Sequence, residues 1–408
     1  MKIKSLCYIR GAIIFLALVT VFPCLTGCES PEEVRVPEVE LTQTAALDHI
    51  LSLDFSPDRI EEFPDFYLVE GDILFYKDDY AKDGPSTEQA STNALISRGN
   101  QNNVTVRIDG SMPSGGADNW RPEIQQAIND WNSVGCSRIR LVLTTSSTAD
   151  ITIRSDFGAL GNNVIASASF PSNGNPGSFI QVNFDFLNNT NVSSGQKRYN
   201  MVHEFGHCLG FRHTNWAGRN EGVGTVGANY IPQTPVNDSN SIMNGGTALN
   251  SWVGFSSFDV KALQNIYPAL NTTCPAPFYR YFGNGNHFYT TDWSVFGSGR
   301  SGYNLESIQC RVFGAQASGT VPLYRYYNAS ANNHFFTTNF NELGSGRAGY
   351  NYEGVQAYVY PNAGTGRVPL YRYFLTGSVD HFYTTNFNEL GNGGSGVIYE
   401  GIACYVLP

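Results

Sequence analysis

The chain has 408 residues, of which 41% are hydrophobic and 15% charged, so it is long enough for two or three domains and too apolar to be disordered throughout. Its 35 acidic residues outnumber the 25 basic ones, which gives a net charge of −10 and argues against a nucleic-acid-binding protein that neutralises phosphates. Fifteen acidic and three basic residues lie in the segment 29–80, so an acidic leader precedes a nearly uncharged remainder.

The N-terminus has the pattern of an export signal. Three basic residues precede the apolar run 11–22, which is shorter than the roughly 20 residues that a membrane-spanning helix needs. Leu25-Thr26-Gly27-Cys28 follows and resembles the lipobox of bacterial lipoproteins, with an ordinary secretory signal as the alternative. The resemblance implies that residues 1–28 are a signal peptide and that Cys28 carries lipid. The mature chain is then anchored in the cell envelope of a bacterium, at the outer membrane or cell surface, or is secreted.

Residues 29–100 have the composition of an acidic pro-segment followed by a linker. Short apolar clusters at 66–69 and 73–76 predict that part of the pro-segment folds. The stretch 81–100 is rich in Ser, Thr, Gln, Asn and Gly, which is typical of a linker. The sequence leaves open whether the leader is cleaved and whether it inhibits the rest of the chain.

Residues 101–270 predict an α+β domain with a mixed sheet. Alternating apolar residues predict five strands, at 104–108, 138–143, 150–154, 165–170 and 179–184. Helical spacing of apolar residues predicts three helices, at 118–134, 199–209 and 257–267, the last of which is ended by Pro268.

The helix predicted at 199–209 carries the residues most specific for chemistry. The segment 203–213 matches H-E-x-x-H-x-x-G-x-x-H at every fixed position. His203 and His207 are four residues apart, so they lie on one helix face, and Gly210 permits the reversal that brings in His213 as a third zinc ligand. Three protein ligands leave one coordination position for a water whose pKa zinc lowers towards about 7, and Glu204 can take its proton as the catalytic base.

This motif resembles the metzincin metallopeptidases, in which a methionine turn lies beneath the metal. Ser241-Ile242-Met243-Asn244 supplies such a turn. The stretches 165–171 and 203–207 look most like the bacterial HEIGH peptidases, family M57, and the segment 69–73 looks like their pro-segment. The resemblance implies a metzincin-type catalytic domain, a Zn2+ cofactor and a polypeptide substrate that lies as an extended strand against the edge strand 165–170.

Two positions depart from related families and leave the oxyanion-stabilising residue unassigned. Thr214 follows the third histidine where astacins have glutamate and adamalysins aspartate, and the tyrosine that astacins place after the methionine is missing. Tyr230 is a candidate for that role, with packing of its loop as the alternative. Asp72 is a candidate to occupy the open metal position before the leader is removed, with a structural or solubilising acid as the alternative.

Export permits disulfide bonds, and five cysteines remain after the signal peptide and the lipidated residue are set aside. We predict that Cys136 pairs with Cys208 and that one pair forms among Cys274, Cys310 and Cys404, although spacing alone does not determine connectivity.

The last part of the chain, residues 274–408, repeats itself three times, at about 277–321, 322–368 and 369–408. His287, His334 and His381 recur at an interval of 47 residues, and an arginine and a glutamate recur with them. Short alternating strands predict an all-β domain with pseudo-threefold symmetry, β-trefoil-like, with a three-bladed propeller as the alternative. The repeats resemble a bacterial repeat domain of unassigned function that is appended to secreted enzymes.

The repeated Arg, His and Glu residues have two interpretations. They are structural partners that join each repeat to its neighbour, or they form up to three pockets that read sugar hydroxyls beside exposed tyrosines. The sequence as a whole therefore predicts a lipid-anchored zinc endopeptidase whose residues 274–408 bind a glycan or a cell-surface ligand. The competing hypothesis is a surface adhesin or carbohydrate-binding lipoprotein with an inactive protease domain.

Overall fold

The computed structural model describes residues 47, 50, 51, 57–62, 66–69, 73–76, 89–187, 191–219, 221–235 and 238–408. The predicted signal peptide with Cys28, and Asp72 in the leader, lie outside the described residues. Among the residues described, no helix is both long and apolar enough to cross a bilayer.

A mixed β-sheet is the centre of the first part of the chain. Its strands and those beside it are, in order, β1 (Ile60–Glu62), β2 (Phe66–Val69), β3 (Ile73–Tyr76), β4 (Ala90–Ser91), β5 (Val104–Ile108), β6 (Leu141–Thr144), β7 (Ile151–Ser155), β8 (Ala166–Ala168), β9 (Phe179–Val182) and β10 (Asn229–Tyr230). Eight strands form one sheet in the order β1-β2-β3-β8-β9-β7-β5-β6, and β4 pairs with β10. Strands β5, β6, β7 and β9 are parallel and β8 is antiparallel to β9, so the prediction of an α+β fold with a mixed sheet is confirmed.

The helices of the described residues beside this sheet include α1 (Arg121–Ser133), α2 (Ser194–Cys208) and α3 (Ser257–Ile266). Helix α1 buries the apolar stripe that the spacing predicts, and the indole of Trp131 donates a hydrogen bond of 3.0 Å to the carbonyl of Val202 in α2. The hydrophobic core joins the sheet to the helices: α2 packs against β8, β9 and α1, and α1 also packs against β6.

Helix α2 has well-defined ends. Ser193 and Gln196 form a capping box at its start, in which each side chain accepts a hydrogen bond from the other residue's backbone. After the helix, Gly210 has a φ of +93°, and a Cβ atom there would lie 2.7 Å from Leu95 Cδ2. Glycine is therefore required at this position, both for its backbone conformation and for space.

The segment 81–100, predicted as a linker, is packed into the catalytic domain over its second half. Gln89, Ala90 and Thr92 are buried, the Thr92 amide donates to the carbonyl of Gly210, and the Arg212 amide donates to that of Ala90. The linker prediction is wrong for these residues, because backbone pairing with the turn after α2 buries a sequence that is too polar to signal a core strand.

The disulfide prediction is also wrong. Cys136 bonds to Cys274. Cys208 is buried as a free thiol on the sheet side of α2, where its sulfur lies 3.6 Å from the carbonyl oxygen of Phe179. Cys136 instead lies beside the chain that leaves α3, since Ala269 donates a backbone hydrogen bond to Cys136. Cys310 and Cys404 are likewise free and buried, so the predicted second pair does not form.

The repeat region consists of three similar four-stranded antiparallel sheets, one for each repeat. Their strands are β11 (Ala276–Gly283), β12 (Asn286–Thr290), β13 (Gly299–Arg300) and β14 (Tyr303–Val312), then β15 (Val321–Asn328), β16 (Asn333–Thr337), β17 (Gly346–Arg347) and β18 (Tyr350–Val359), then β19 (Val368–Leu375), β20 (Asp380–Thr384), β21 (Gly393–Gly394) and β22 (Val397–Val406). The order in the first sheet is β12-β11-β14-β13, and the others repeat it. The predicted all-β repeat domain is confirmed, whereas the β-trefoil stays a prediction.

A shared core holds the three sheets together. It takes equivalent residues from each repeat, namely Phe278, Leu323 and Leu370; Tyr289, Phe336 and Tyr383; Cys310, Ala357 and Cys404; and Val312, Val359 and Val406. Isolated backbone bridges between neighbouring repeats close the ring, for example between Phe313 and Tyr358. The positions that recur in the three sequence repeats therefore supply equivalent residues to one common core.

The first repeat also packs against the catalytic domain. Tyr279, Tyr281 and Trp293 belong to the same hydrophobic core as the mixed sheet, and Arg98 forms an ion pair of 2.8 Å with Asp292. The composition changes sharply near residue 274, but the core continues across that boundary.

Candidate metal centre and cleft

Three histidines converge at the end of α2. His203, His207 and His213 are buried, and their candidate ligand atoms all lie within 4.8 Å of one another. His203 and His207 lie one helical turn apart on α2, and the reversal at Gly210 brings His213 back beside them. The geometry predicted from the H-E-x-x-H-x-x-G-x-x-H spacing is therefore present.

Each of the three imidazoles has its Nδ1 atom in a hydrogen bond. His203 Nδ1 lies 2.7 Å from the carbonyl oxygen of Ile242, and His207 Nδ1 lies 2.8 Å from that of Phe211. A carbonyl oxygen only accepts, so these two Nδ1 atoms carry hydrogen and the Nε2 atoms hold the lone pairs. Such contacts fix the ring orientation of histidines that ligate a metal through Nε2.

The third histidine has a charged partner that sequence reasoning missed. His213 Nδ1 lies 2.9 Å from Oε1 of Glu221, whose side chain is fully buried and also accepts from the guanidinium of Arg219. The only sequence signal was an acidic residue eight positions after the histidine, in a glycine-rich loop whose path the sequence does not determine. Glu221 orients His213 and compensates positive charge at the site.

The donor set fits zinc. Three neutral imidazole nitrogens from one helix and the following turn are a ligand set typical of catalytic zinc sites, which leave one position for water or substrate. Burial of all three rings provides the dry surroundings in which such a site is stable.

The methionine turn lies directly under α2. Met243 is buried, and a Cβ atom at Gly206 would lie 2.2 Å from its Sδ atom. The glycine between Glu204 and His207 therefore allows the turn to approach the helix beneath the metal ligands.

Hydrogen bonds from α3 hold this turn in place. Asp259 accepts from the Ser241 hydroxyl at 2.6 Å and from the Ile242 amide at 3.0 Å. Burial raises the pKa of Asp259, and these hydrogen bonds oppose the rise. Thr214 bonds to Ser241 through its hydroxyl at 2.7 Å and to Met243 through its amide at 2.8 Å. At the position after the third histidine, where astacins and adamalysins have an acidic residue, this chain thus has a threonine whose hydrogen bonds support the methionine turn.

A cleft of about 340 Å³ adjoins the triad at His203. Glu204 is buried on α2 and lines this cleft together with His203. The remaining lining residues come from the leader, β8 and the segment before it, helix α2, the segment after His213, and the methionine turn with the residues after it. They are Asp58, Arg59, Glu61, Asn163, Val164, Ile165, Ala166, Tyr199, Asn200, Arg219, Asn244, Gly246, Thr247 and Ala248. Tyr230 is not among them; it lies in β10, where it pairs with Ala90 of β4.

The leader occupies the side of the cleft that was predicted to be a free sheet edge. Strand β3 pairs in parallel with β8 at Ile73 and Ala168, so β8 lies between β9 and the leader. Residues 165–170 are therefore not an edge in this structure, and the prediction is wrong while the leader is in place. The sequence could not show this, because strand neighbours are chosen by tertiary packing.

In the repeat domain, the recurrent polar residues bond to one another. Each arginine contacts the glutamate of its own repeat through Nε, at 2.8 Å for Arg280–Glu306, 2.7 Å for Arg325–Glu353 and 2.9 Å for Arg372–Glu400. Two of the arginines also bond to a glutamate of the neighbouring repeat, as Arg280 does to Glu389. Within the part of the chain that the structure describes, the repeat histidines do not converge on a metal site.

A buried histidine triad on an H-E-x-x-H helix, floored by a methionine turn and facing a cleft, defines a zinc metallopeptidase. Residues 71–267 match the family model described as the dual-action HEIGH metallo-peptidase, and residues 272–407 match a domain of unknown function (DUF5648). The chain thus contains an M57 metallopeptidase domain followed by a DUF5648 domain.

One solved structure, titled "Structure of Myroilysin", is similar at 17% sequence identity, covers 47% of this chain and 89% of the other, and has a TM-score of 0.27. No curated protein matched the chain.

Proposed function

We propose that the chain is an exported, lipid-anchored endopeptidase that hydrolyses polypeptides, with a C-terminal binding module. The observation that carries this proposal is the buried triad of His203, His207 and His213 beside a cleft whose wall includes Glu204. An adhesin with an inactive protease domain would not need this combination of ligands, base and cleft.

The residues of the chain support a hydrolytic mechanism. The three imidazoles would hold zinc, which when bound would supply Lewis-acid polarisation of the substrate carbonyl and a more acidic water. Glu204 accepts a proton from the attacking water as the new C–O bond forms, and it returns that proton to the amine nitrogen as the C–N bond breaks. The Nδ1 contacts to Ile242, Phe211 and Glu221 keep the imidazoles oriented throughout.

We infer that the acidic leader keeps the peptidase inactive until it is removed. Two observations support this inference: β3 pairs with β8, and Asp58, Arg59 and Glu61 line the cleft. The leader and a substrate would therefore compete for the cleft and for the edge of β8. Removal would expose β8 as the edge against which an extended substrate can pair.

Lipid anchoring rests on the N-terminal sequence. The short apolar run and the Leu-Thr-Gly-Cys order support lipidation of Cys28 and a place in the bacterial cell envelope. Replacement of Cys28 by Ser should abolish incorporation of labelled fatty acid; retained labelling would contradict this assignment.

The C-terminal repeats are proposed to bind a glycan or a cell-surface ligand. Exposed aromatic side chains such as Phe282, Phe340 and Tyr352 supply surfaces on which sugar rings stack. The salt-bridged Arg and Glu residues serve the structural role of joining repeats, so the binding surface lies at the exposed aromatics rather than at those ion pairs.

The decisive experiment replaces the proposed base. After limited trypsin treatment to remove the leader, Glu204→Gln should bind one zinc ion as the equally treated wild type does. Its kcat/KM for an unfolded protein substrate should be lower by at least about 100-fold, the lower end of the contribution of general acid–base catalysis. Asp118→Asn makes the same carboxylate-to-amide change at an exposed residue that does not line the cleft. Unchanged cleavage by Glu204→Gln would show that the assigned base is wrong.

A further inference from the structure

A guanidinium lies in the wall of the cleft beside the metal ligands. Arg219 lines the same cleft as His203 and Glu204, and the wall also includes the polar side chains of Asn200 and Thr247. A cation in a cleft of this kind raises the question of which substrate side chain it meets.

Arg219 is held in a defined position by its neighbours. Its Nε atom donates to the buried carboxylate of Glu221, which fixes one edge of the guanidinium. A Cβ atom at Gly245 would lie 2.8 Å from Arg219 Nε, and one at Gly246 would lie 2.7 Å from its Nη1. The two glycines after the methionine turn therefore leave the space that the guanidinium fills, so little side-chain entropy is lost when a ligand binds.

The leader brings charge of the opposite sign to this place. Asp58 and Glu61 line the cleft. Arg59 lies between them in sequence, and its guanidinium donates a hydrogen bond of 3.0 Å to the carbonyl oxygen of Arg219. Among the charged residues described in the cleft wall, only Glu204 and Arg219 belong to the catalytic domain. Removal of the leader thus takes two carboxylates and one guanidinium away from the cleft and leaves Arg219 as the arginine in its wall.

The position of the subsite follows from the role of Glu204. The carboxyl group that protonates the leaving amine must lie near that nitrogen, so a pocket lined by Glu204 receives the residue on the amine side of the scissile bond. A guanidinium binds a carboxylate through paired charge-assisted hydrogen bonds, which neutral side chains cannot reproduce.

We propose that Arg219 makes the enzyme select substrates with aspartate or glutamate immediately after the cleaved bond. This inference rests on the proposed peptidase function and assigns a side-chain preference to its cleft. Arg219 is then a specificity-determining residue that contacts substrate, in addition to its contact with Glu221.

The test uses the full chain, before and after limited trypsin treatment to remove the leader. The substrates are peptides that differ only in the residue after the scissile bond, in the isosteric pairs Asp/Asn and Glu/Gln. We expect kcat/KM to be about tenfold higher for the acidic member of each pair, a factor that corresponds to ~1.4 kcal/mol. The preference should weaken as ionic strength rises, because the contact is between charges at a partly exposed site.

Variants separate substrate selection from support of the metal site. Arg219→Gln should bring the acidic-to-neutral ratio close to one, Arg219→Lys should retain part of it, and Arg219→Glu should favour lysine instead. Arg347→Gln, which changes an exposed guanidinium in the second repeat, should leave the ratio as in the wild type. The ratio is the readout, since a residue that only held Glu221 would slow all substrates equally.

The outcomes are distinguishable from failure of the peptidase assignment. If the wild type cleaves no peptide before or after trypsin treatment, the proposed function itself fails. If it cleaves the acidic and neutral members equally, or if Arg219→Gln keeps the wild-type ratio while retaining zinc, the specificity proposal is overturned and the peptidase stands. If Arg219→Gln loses zinc, the acidic-to-neutral ratios of the wild type and of Arg219→Lys test the specificity proposal instead. A wild-type ratio near one, or an equal ratio in Arg219→Lys, would overturn it.

Discussion

Removal of the Glu221 carboxylate should weaken zinc binding without unfolding the protein. In the structure this side chain is fully buried and accepts a hydrogen bond from His213 Nδ1 at 2.9 Å. In Glu221→Ala the Nδ1–H group would be buried without an acceptor, at a free-energy cost of ~1–3 kcal/mol. That range corresponds to a loss of roughly 5- to 150-fold in affinity and agrees with the 10–100-fold typical of partners behind a metal ligand.

The assay is competition for zinc between the protein and a chromophoric chelator at neutral pH. Glu221→Gln should fall between the wild type and Glu221→Ala, because the amide oxygen can still accept from His213 but carries no charge. Asp118→Ala, at an exposed carboxylate, controls for a general effect of charge removal. If Glu221→Ala keeps wild-type zinc affinity and wild-type circular dichroism, the carboxylate does not orient His213 and the reasoning is refuted.

Three further predictions concern packing, covalent linkage and pH. Gly206→Ala should destabilise the protein by about 1–3 kcal/mol in urea unfolding, because its new methyl group would overlap Met243 Sδ. The same substitution made in a Met243→Ala background should cost much less, and an equal cost in both backgrounds would contradict the proposed contact. Cys274→Ser opens a loop of 138 residues closed by the bond to Cys136 and should cost about 4–5 kcal/mol in the chain-entropy model, so an unchanged thermal midpoint under non-reducing conditions would argue against that disulfide. Burial and the charge of a neighbouring arginine lower the pKa of His381 to about 3, so the unfolded chain takes up a proton below about pH 6.5 that the folded chain does not. The free energy of unfolding should therefore fall by ~1.4 kcal/mol for each pH unit below 6.5 towards the folded pKa, and His381→Gln should remove that contribution from the pH dependence.

The boundary between the two domains shows one limit of reasoning from sequence. Composition and the 47-residue interval correctly locate the repeats, because each repeat carries its own strands and turns. They do not reveal that Tyr279 and Trp293 of the first repeat enter the core of the catalytic domain. That packing depends on which faces meet, and an aromatic residue has the same local signal whether it is buried within its own domain or against another.

The cysteines and the leader show the same limit. Spacing could not tell that Cys136 bonds to Cys274 across the domain boundary, because a disulfide needs two Cβ atoms brought together by the fold. Likewise, the apolar cluster at 73–76 predicted that part of the leader folds, but only the tertiary structure shows that it forms a strand beside β8. Strand propensity is local, whereas the neighbour of a strand in a sheet is not.

The amino-acid sequence by itself determined the three zinc ligands, the adjacent carboxylate and the methionine turn, because the 3.6-residue helical period and one glycine-dependent reversal convert fixed spacings into fixed geometry. Only the tertiary structure decided that Glu221 supports His213 and that Arg219 lines the cleft, since Arg219 ends a single 3-10 turn, Ala217–Arg219, and Glu221 lies outside the helices and strands. A loop has no period, so its side chains are placed by contacts with the rest of the molecule rather than by their spacing in the chain.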